Sequence, residues 1–205
     1  MNSLRDYVAE ARQNKVAIGH FNVSTLDGVF AVADAAQSLK LPVIVGVSEG
    51  ERDYTGVRQI SAIVKSLREE RNQPIFLNAD HTYSFERAKE AIDVGFDAVI
   101  FDGAKLPIEE NIEIARRCVE YALEAGRRSG HRVLVEGELG FIGASSKVLD
   151  EIPAGAVTKE EQMTKTGDAS RFVRETGVDL LAPAVGNIHG VVRGGDPALN
   201  TKRVK

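Results

Sequence analysis

A single cysteine, Cys118, in 205 residues excludes an intrachain disulfide framework. It lies in Ile112-Glu-Ile-Ala-Arg-Arg-Cys-Val-Glu-Tyr121, where Ile114, Ala115, Cys118 and Ala122 share one helical face, so the thiol reads as buried and inert. Positive charge is not in excess: the net charge is −4, which gives nucleic acid nothing to bind. No segment reaches the roughly 18 to 20 apolar residues that span a bilayer. The start, Met1-Asn-Ser-Leu-Arg-Asp6, has no apolar run behind its charge, so the expectation is a cytoplasmic protein without membrane contact. A glycine-rich phosphate turn after the first strand is also lacking. That position reads His20-Phe-Asn-Val-Ser-Thr-Leu-Asp-Gly28, which argues against an open dinucleotide-binding sheet.

What is present is a hydrophobic content of 43%, enough for residues 1–205 to bury a core as one domain. Short β-branched runs alternate with helical patterns. Val16–Val23 precedes a helix over Gly28–Leu39, Pro42–Val47 one over Val57–Glu70, and Pro74–Leu77 one over Phe85–Val94. Ala98–Asp102 precedes a helix over Glu109–Arg127. Arg132–Glu136 precedes a long insertion and a helix over Asp168–Thr176, and Leu180–Val185 closes the series. Continuous apolar strands joined by helical crossovers imply a parallel sheet covered by helices. The fold expected is α/β, a TIM (β/α)8 barrel with about six of its eight βα units in this chain.

Polar residues gather where the strands end, at Asn22, Ser48, Asp80 with His81, Asp102, Glu138, and Asn187 with His189. In an αβ barrel that rim forms the active site. Glu136 and Glu138 are two apart on strand five and project to one face, where an inward carboxylate needs a counter-charge. His81, His189 and a carboxylate from separate strands suit zinc, which favours nitrogen and oxygen ligands and keeps a position open when catalytic. A lone strand-end histidine is more often only hydrogen-bonded, but Asp80 and Glu138 beside these two tip the reading toward a metal. His131 precedes its strand and is expected to face solvent at the opposite rim. His20, on strand one, reads as a core or rim residue rather than a ligand.

The segments Phe21-Asn-Val, Asp80-His81, Phe101-Asp-Gly103, Glu136-Gly-Glu-Leu-Gly140 and Gly186-Asn-Ile-His-Gly190 resemble, in order and spacing, the class II metal-dependent fructose-bisphosphate and tagatose-bisphosphate aldolases. The resemblance covers nearly the whole chain. It implies cleavage of a ketose 1,6-bisphosphate to dihydroxyacetone phosphate and glyceraldehyde 3-phosphate, with Asp80 transferring the hydroxyl proton. It also implies zinc, alone or with a second divalent or monovalent cation, acting as a Lewis acid on the ketone and the enediolate. His81 and His189 are then two zinc imidazoles, and Glu138 and Asp102 come within reach of a more deeply held metal. Asn22, Ser48, Gly190 and Arg193 are the implied substrate-binding residues, Arg193 standing where many relatives carry lysine. A homo-oligomer, dimer or tetramer, is implied for the complete protein. A Schiff-base route needs a lysine on an inner strand, and the assigned strands contain none beyond the edge residue Lys15.

Three departures from the family pattern stand out. Ala104 replaces a common serine. The loop from Gly140 to Pro153 lacks the glycine-rich acidic run that supplies the carbon-proton base, with Glu151 the nearest replacement by type. The family's His-Gly-x-Ser-Gly motif, carrying the third zinc histidine, and its later Asn-rich phosphate turn are not in the sequence. The expectation is therefore a fragment or a partial barrel completed by another chain. The alternative function is a catalytically incomplete barrel that binds metal or sugar phosphate and requires a partner.

Overall fold

The computed structural model describes residues 2–143, 148–152, 156, 159–195 and 197–204. Contacts cluster in two compact units, Met1–Phe101 with Arg117–Glu136, and Asp102–Arg116 with Gly137–Lys205.

In the first unit, helix α1 (Leu4–Asn14) starts at a capping box in which Ser3 and Asp6 each satisfy the other's backbone N–H. Four strand–helix steps follow: β1 (Gly19–Asn22) and α2 (Leu26–Leu39); β2 (Val43–Val47), α3 (Glu49–Thr55) and α4 (Val57–Arg71); β3 (Ile75–Thr82) and α5 (Phe85–Asp93); β4 (Ala98–Phe101) and α6 (Ile108–Ser129). Strand β5 (Leu134–Leu139) continues the order β1-β2-β3-β4-β5, and the β1–β2, β2–β3 and β3–β4 pairs are parallel. Val45, Val47, Ile75, Leu77 and Val99 are buried, as are Val29 and Ala33 of α2 and Ile60 and Val64 of α4. These are the continuous apolar strands and one-sided helices of a sheet with covered faces. Cys118 is fully buried on α6, and desolvation pushes its thiol up to about 12.

Register fixes which side chains share a face. Asn22 pairs with Gly46, Gly46 with Asn78, and His20 with Ile44. Between Ala79 and Thr82 the β3–β4 register shifts, and His81 takes φ +40. A bulge of this kind re-aims the residues it carries.

The second unit holds β6 (Val148–Leu149), α7 (Thr166–Thr176), β7 (Leu180–Pro183), β8 (Val191–Val192) and α8 (Thr201–Val204). β6, within the long insertion, forms a two-residue parallel pair with β8, which follows β7. Thr164 ties the ends of β5 and β7: its hydroxyl donates to the Leu139 carbonyl at 2.6 Å and accepts from the Ala184 N–H at 2.9 Å. Of the loop from Gly140 to Pro153, residues 144–147 and 153 lie outside the described residues.

Several boundaries differ from the sequence reading. β3 runs past Leu77 to Thr82, β5 spans Leu134–Leu139 rather than Arg132–Glu136, and α3 was not foreseen. The His131 side chain is 41% exposed, with Nε2 3.0 Å from the Phe96 carbonyl oxygen. No described helix is long and apolar enough to cross a membrane.

Candidate active site and metal centre

In the first unit the chemistry gathers at the end of β3. Asp80 is 6% exposed, and its Oδ2 accepts a hydrogen bond from Asn22 Nδ2 at 2.6 Å. His81 Nε2 lies 4.0 Å from the same oxygen, and its ring stacks against Tyr83 with centroids 6.4 Å apart. Tyr83 is held in turn by its N–H, which donates to Glu49 Oε1 at 2.8 Å. Burial pushes the Glu136 carboxyl up to about 7, with the Asp80 charge adding to the rise and His81 opposing it. A carboxyl that shares its proton near neutrality beside an aspartate is the environment of acid–base chemistry. Desolvation of the ring lowers the His20 pKa even though the residue as a whole is exposed, because its Nε2 end reaches over the sheet to 3.4 Å from Asn78 Nδ2.

Arg52, on α3, was not foreseen as a site residue. It is 1% exposed; Nη1 donates to the Val47 carbonyl at 2.6 Å and the Asp80 carbonyl at 3.1 Å, while Nη2 donates to Thr82 Oγ1 at 3.0 Å. One guanidinium thus braces both flanks of the bulge that carries Asp80 and His81. The sequence signal was the capping pattern Ser48-Glu-Gly-Glu51, which starts a helix immediately after β2. Ser48 itself serves that cap: its Oγ accepts from the Glu51 N–H and donates to Glu51 Oε2 at 2.9 Å.

In the second unit Asp102 and Glu138 bring carboxylate oxygens within 4.8 Å of one another, and Glu138 is buried. Two close carboxylates, one of them desolvated, repel unless a cation or proton lies between them, so this donor set fits a divalent ion. Asp102 Oδ1 accepts from the Ala104 N–H at 3.1 Å, and the Glu138 carbonyl accepts from Asn111 Nδ2 at 2.9 Å, which fix both residues. His189 is half-buried and is anchored by its own N–H to the Ile142 carbonyl at 2.8 Å. Gly190 follows at φ +113, a conformation that leaves glycine as the comfortable choice. Arg193, expected at a substrate phosphate, is 73% exposed and its Nε lies 3.0 Å from Asp150 Oδ1. Glu151 is exposed.

Residues 2–205 match the family model for fructose-bisphosphate aldolase class-II. The chain belongs to this family. It is 36% identical over 206 residues to a fructose-bisphosphate aldolase of Staphylococcus epidermidis, covering 99% of this chain and 67% of that protein. It is 37% identical over 195 residues to the fructose-bisphosphate aldolase of Geobacillus stearothermophilus, covering 94% and 63%. The crystal structure of the YdjI aldolase from Escherichia coli K12 superposes with a TM-score of 0.79 at 29% identity, over 98% of this chain and 66% of that one. The chain therefore spans about two thirds of the length of the relatives it matches. Its strands and helices are six βα units of the family's TIM barrel, and the family's activity makes it an aldehyde-lyase family member.

Proposed function

We propose that this family member cleaves a ketose 1,6-bisphosphate, fructose or tagatose, reversibly to dihydroxyacetone phosphate and glyceraldehyde 3-phosphate. The observation that carries the reading is Asp80, buried, held by Asn22 at 2.6 Å and adjacent to His81 at the end of β3. In cleavage the Asp80 carboxylate accepts the C4 hydroxyl proton as the C3–C4 bond breaks and the electron pair stays on C3. In condensation the carboxyl returns that proton to the aldehyde oxygen. The proton added at C3 comes from a second acid, for which Glu151 is the candidate by type.

His81 and His189 would hold zinc, with Glu138 and Asp102 available to a more deeply placed ion. Bound there, the metal supplies Lewis-acid stabilisation of negative charge at the ketone oxygen, by several kcal/mol. Asn22 serves twice, orienting Asp80 and meeting substrate. Ser48, Gly190 and Arg193 bind phosphate, and for Arg193 this requires exchanging Asp150 for the substrate. Residues 1–205 act as one incomplete barrel domain of a cytoplasmic homo-oligomer, dimer or tetramer.

The test is metal removal. Chelation should abolish cleavage and zinc should restore it, whereas full activity in excess chelator refutes the reading. His81→Ala and His189→Ala should lose bound metal and rate together, and Asp80→Ala should lose rate with metal retained. Release of metal from Asp80→Ala would overturn its assigned role.

A second reading, a partial barrel that binds metal or sugar phosphate and needs a partner chain, is favoured by β1. All four of its residues are exposed, Phe21 among them, and an edge of this kind invites pairing. Zinc titration of the pure chain with its mass in solution separates the two: an active, metal-loaded monomer removes the second reading.

A further inference from the structure

Gly46 of β2 stands between Asn22 of β1 and Asn78 of β3 in the parallel register. Registered residues of neighbouring strands project to the same face, so a side chain at the middle position would separate the outer two. A β-carbon at Gly46 would lie 2.3 Å from His20 Nε2 and 2.5 Å from Asn22 Oδ1. The tips of those two side chains occupy the volume it would need. Through this gap β1 reaches across β2 to β3: Asn22 Nδ2 meets Asp80 Oδ2 at 2.6 Å, and His20 Nε2 approaches Asn78 Nδ2 at 3.4 Å. Asp80 and Asn78 are buried while Asn22 and His20 are exposed, so both contacts are part-buried, made from the rim onto groups held in the sheet.

We infer that Gly46 is a positioning residue for proton transfer, its missing side chain being the passage through which Asn22 orients Asp80. This rests on the role of Asp80 given above. The geometry also says what a substitution would displace. Both close contacts are with side-chain ends, and the third is His20 Cε1 at 3.1 Å, so the backbone of β2 tolerates alanine while Asn22 and His20 must turn away. Gly46 is not among the glycines with positive φ, so alanine meets no backbone strain there. A displacement of about 1 Å at a group that handles a proton costs on the order of 100-fold in rate.

The experiment compares Gly46→Ala, Asn22→Ala and the double variant in the full-length, metal-loaded protein. Gly46→Ala should keep the melting temperature and bound metal while kcat falls roughly 10- to 100-fold. Asn22→Ala should lose a similar factor. The double variant should be no worse than the poorer single by more than about twofold, because both remove one interaction. The side-chain amide protons of Asn22, shifted downfield in NMR by the carboxylate, should move upfield in Gly46→Ala, a readout that needs no turnover.

A Gly46→Ala rate within twofold of wild type, a double-variant loss equal to the product of the singles, or an unmoved amide signal overturns the inference. If Gly46→Ala folds poorly, His20→Ala/Gly46→Ala removes the nearer clash, leaves the one with Asn22, and faces the same criteria. If the wild-type protein shows no metal-dependent cleavage, the aldolase reading fails, and the amide signal alone decides whether Gly46 holds Asn22 on Asp80.

Discussion

Glu136→Gln isolates the energetic cost of a half-buried, desolvated carboxylate in the first unit. Desolvation raises the Glu136 pKa from the ordinary 4.5 to about 7, with Asp80 contributing to the rise. Below pH 4.5 the folded and unfolded chains both carry the proton and the group has no effect. Between 4.5 and about 7 the folded chain binds more protons than the unfolded one, so stability falls as pH rises, and above 7 the full penalty is present. At ~1.36 kcal/mol per tenfold, the difference is roughly 3 kcal/mol, an upper bound because the unfolded chain is taken as fully solvated. The assay is urea unfolding of metal-free wild type and Glu136→Gln at several pH values from 5 to 8. Glutamine keeps the shape and cannot ionise, so its advantage over wild type should grow with pH by up to about 3 kcal/mol and level off above 7. Parallel stability curves for the two proteins would refute the reasoning.

Other substitutions test the supports of the site. Arg52→Met keeps the apolar stem but leaves the Val47 and Asp80 carbonyls without their donor. It should cost about 3 kcal/mol in denaturant unfolding and lower the affinity for metal through His81; unchanged metal affinity would show that the brace is not needed. In the second unit, Gly137→Ala would place a β-carbon 2.5 and 2.8 Å from two ring carbons of the fully buried Phe172. Overpacking of this kind should cost about 1–3 kcal/mol by thermal or denaturant unfolding.

The alternation of apolar runs with helical stripes made the strand–helix order legible, because a sheet covered by helices needs both. The sequence places Asp80 and His81 at the end of this strand but draws its span only to Leu77, since Asn78, Asp80 and His81 break the apolar run although the backbone remains paired. The span Arg132–Glu136 shifts β5 for a similar reason: Glu136 and Glu138, both read on strand five, alternate with glycine and leucine beyond the apolar run. α3 has seven residues, too few to display a periodic stripe. Arg52 was missed because arginine is ordinarily a surface residue, and its burial depends on carbonyls brought together by the fold. Gly46 did carry a signal: a glycine inside an apolar strand marks a close approach. The Arg193–Asp150 pair could not be read from spacing, because it depends on how β8 lies against β6.

Because Cys118 is the chain's sole thiol and its pKa is pushed up to about 12, an alkylating reagent added at neutral pH meets almost no thiolate in the folded protein. Labelling must wait for α6 to lift from its packing, so the rate of modification counts openings of that helix. The molecule carries a built-in clock for its own local unfolding, readable by mass spectrometry.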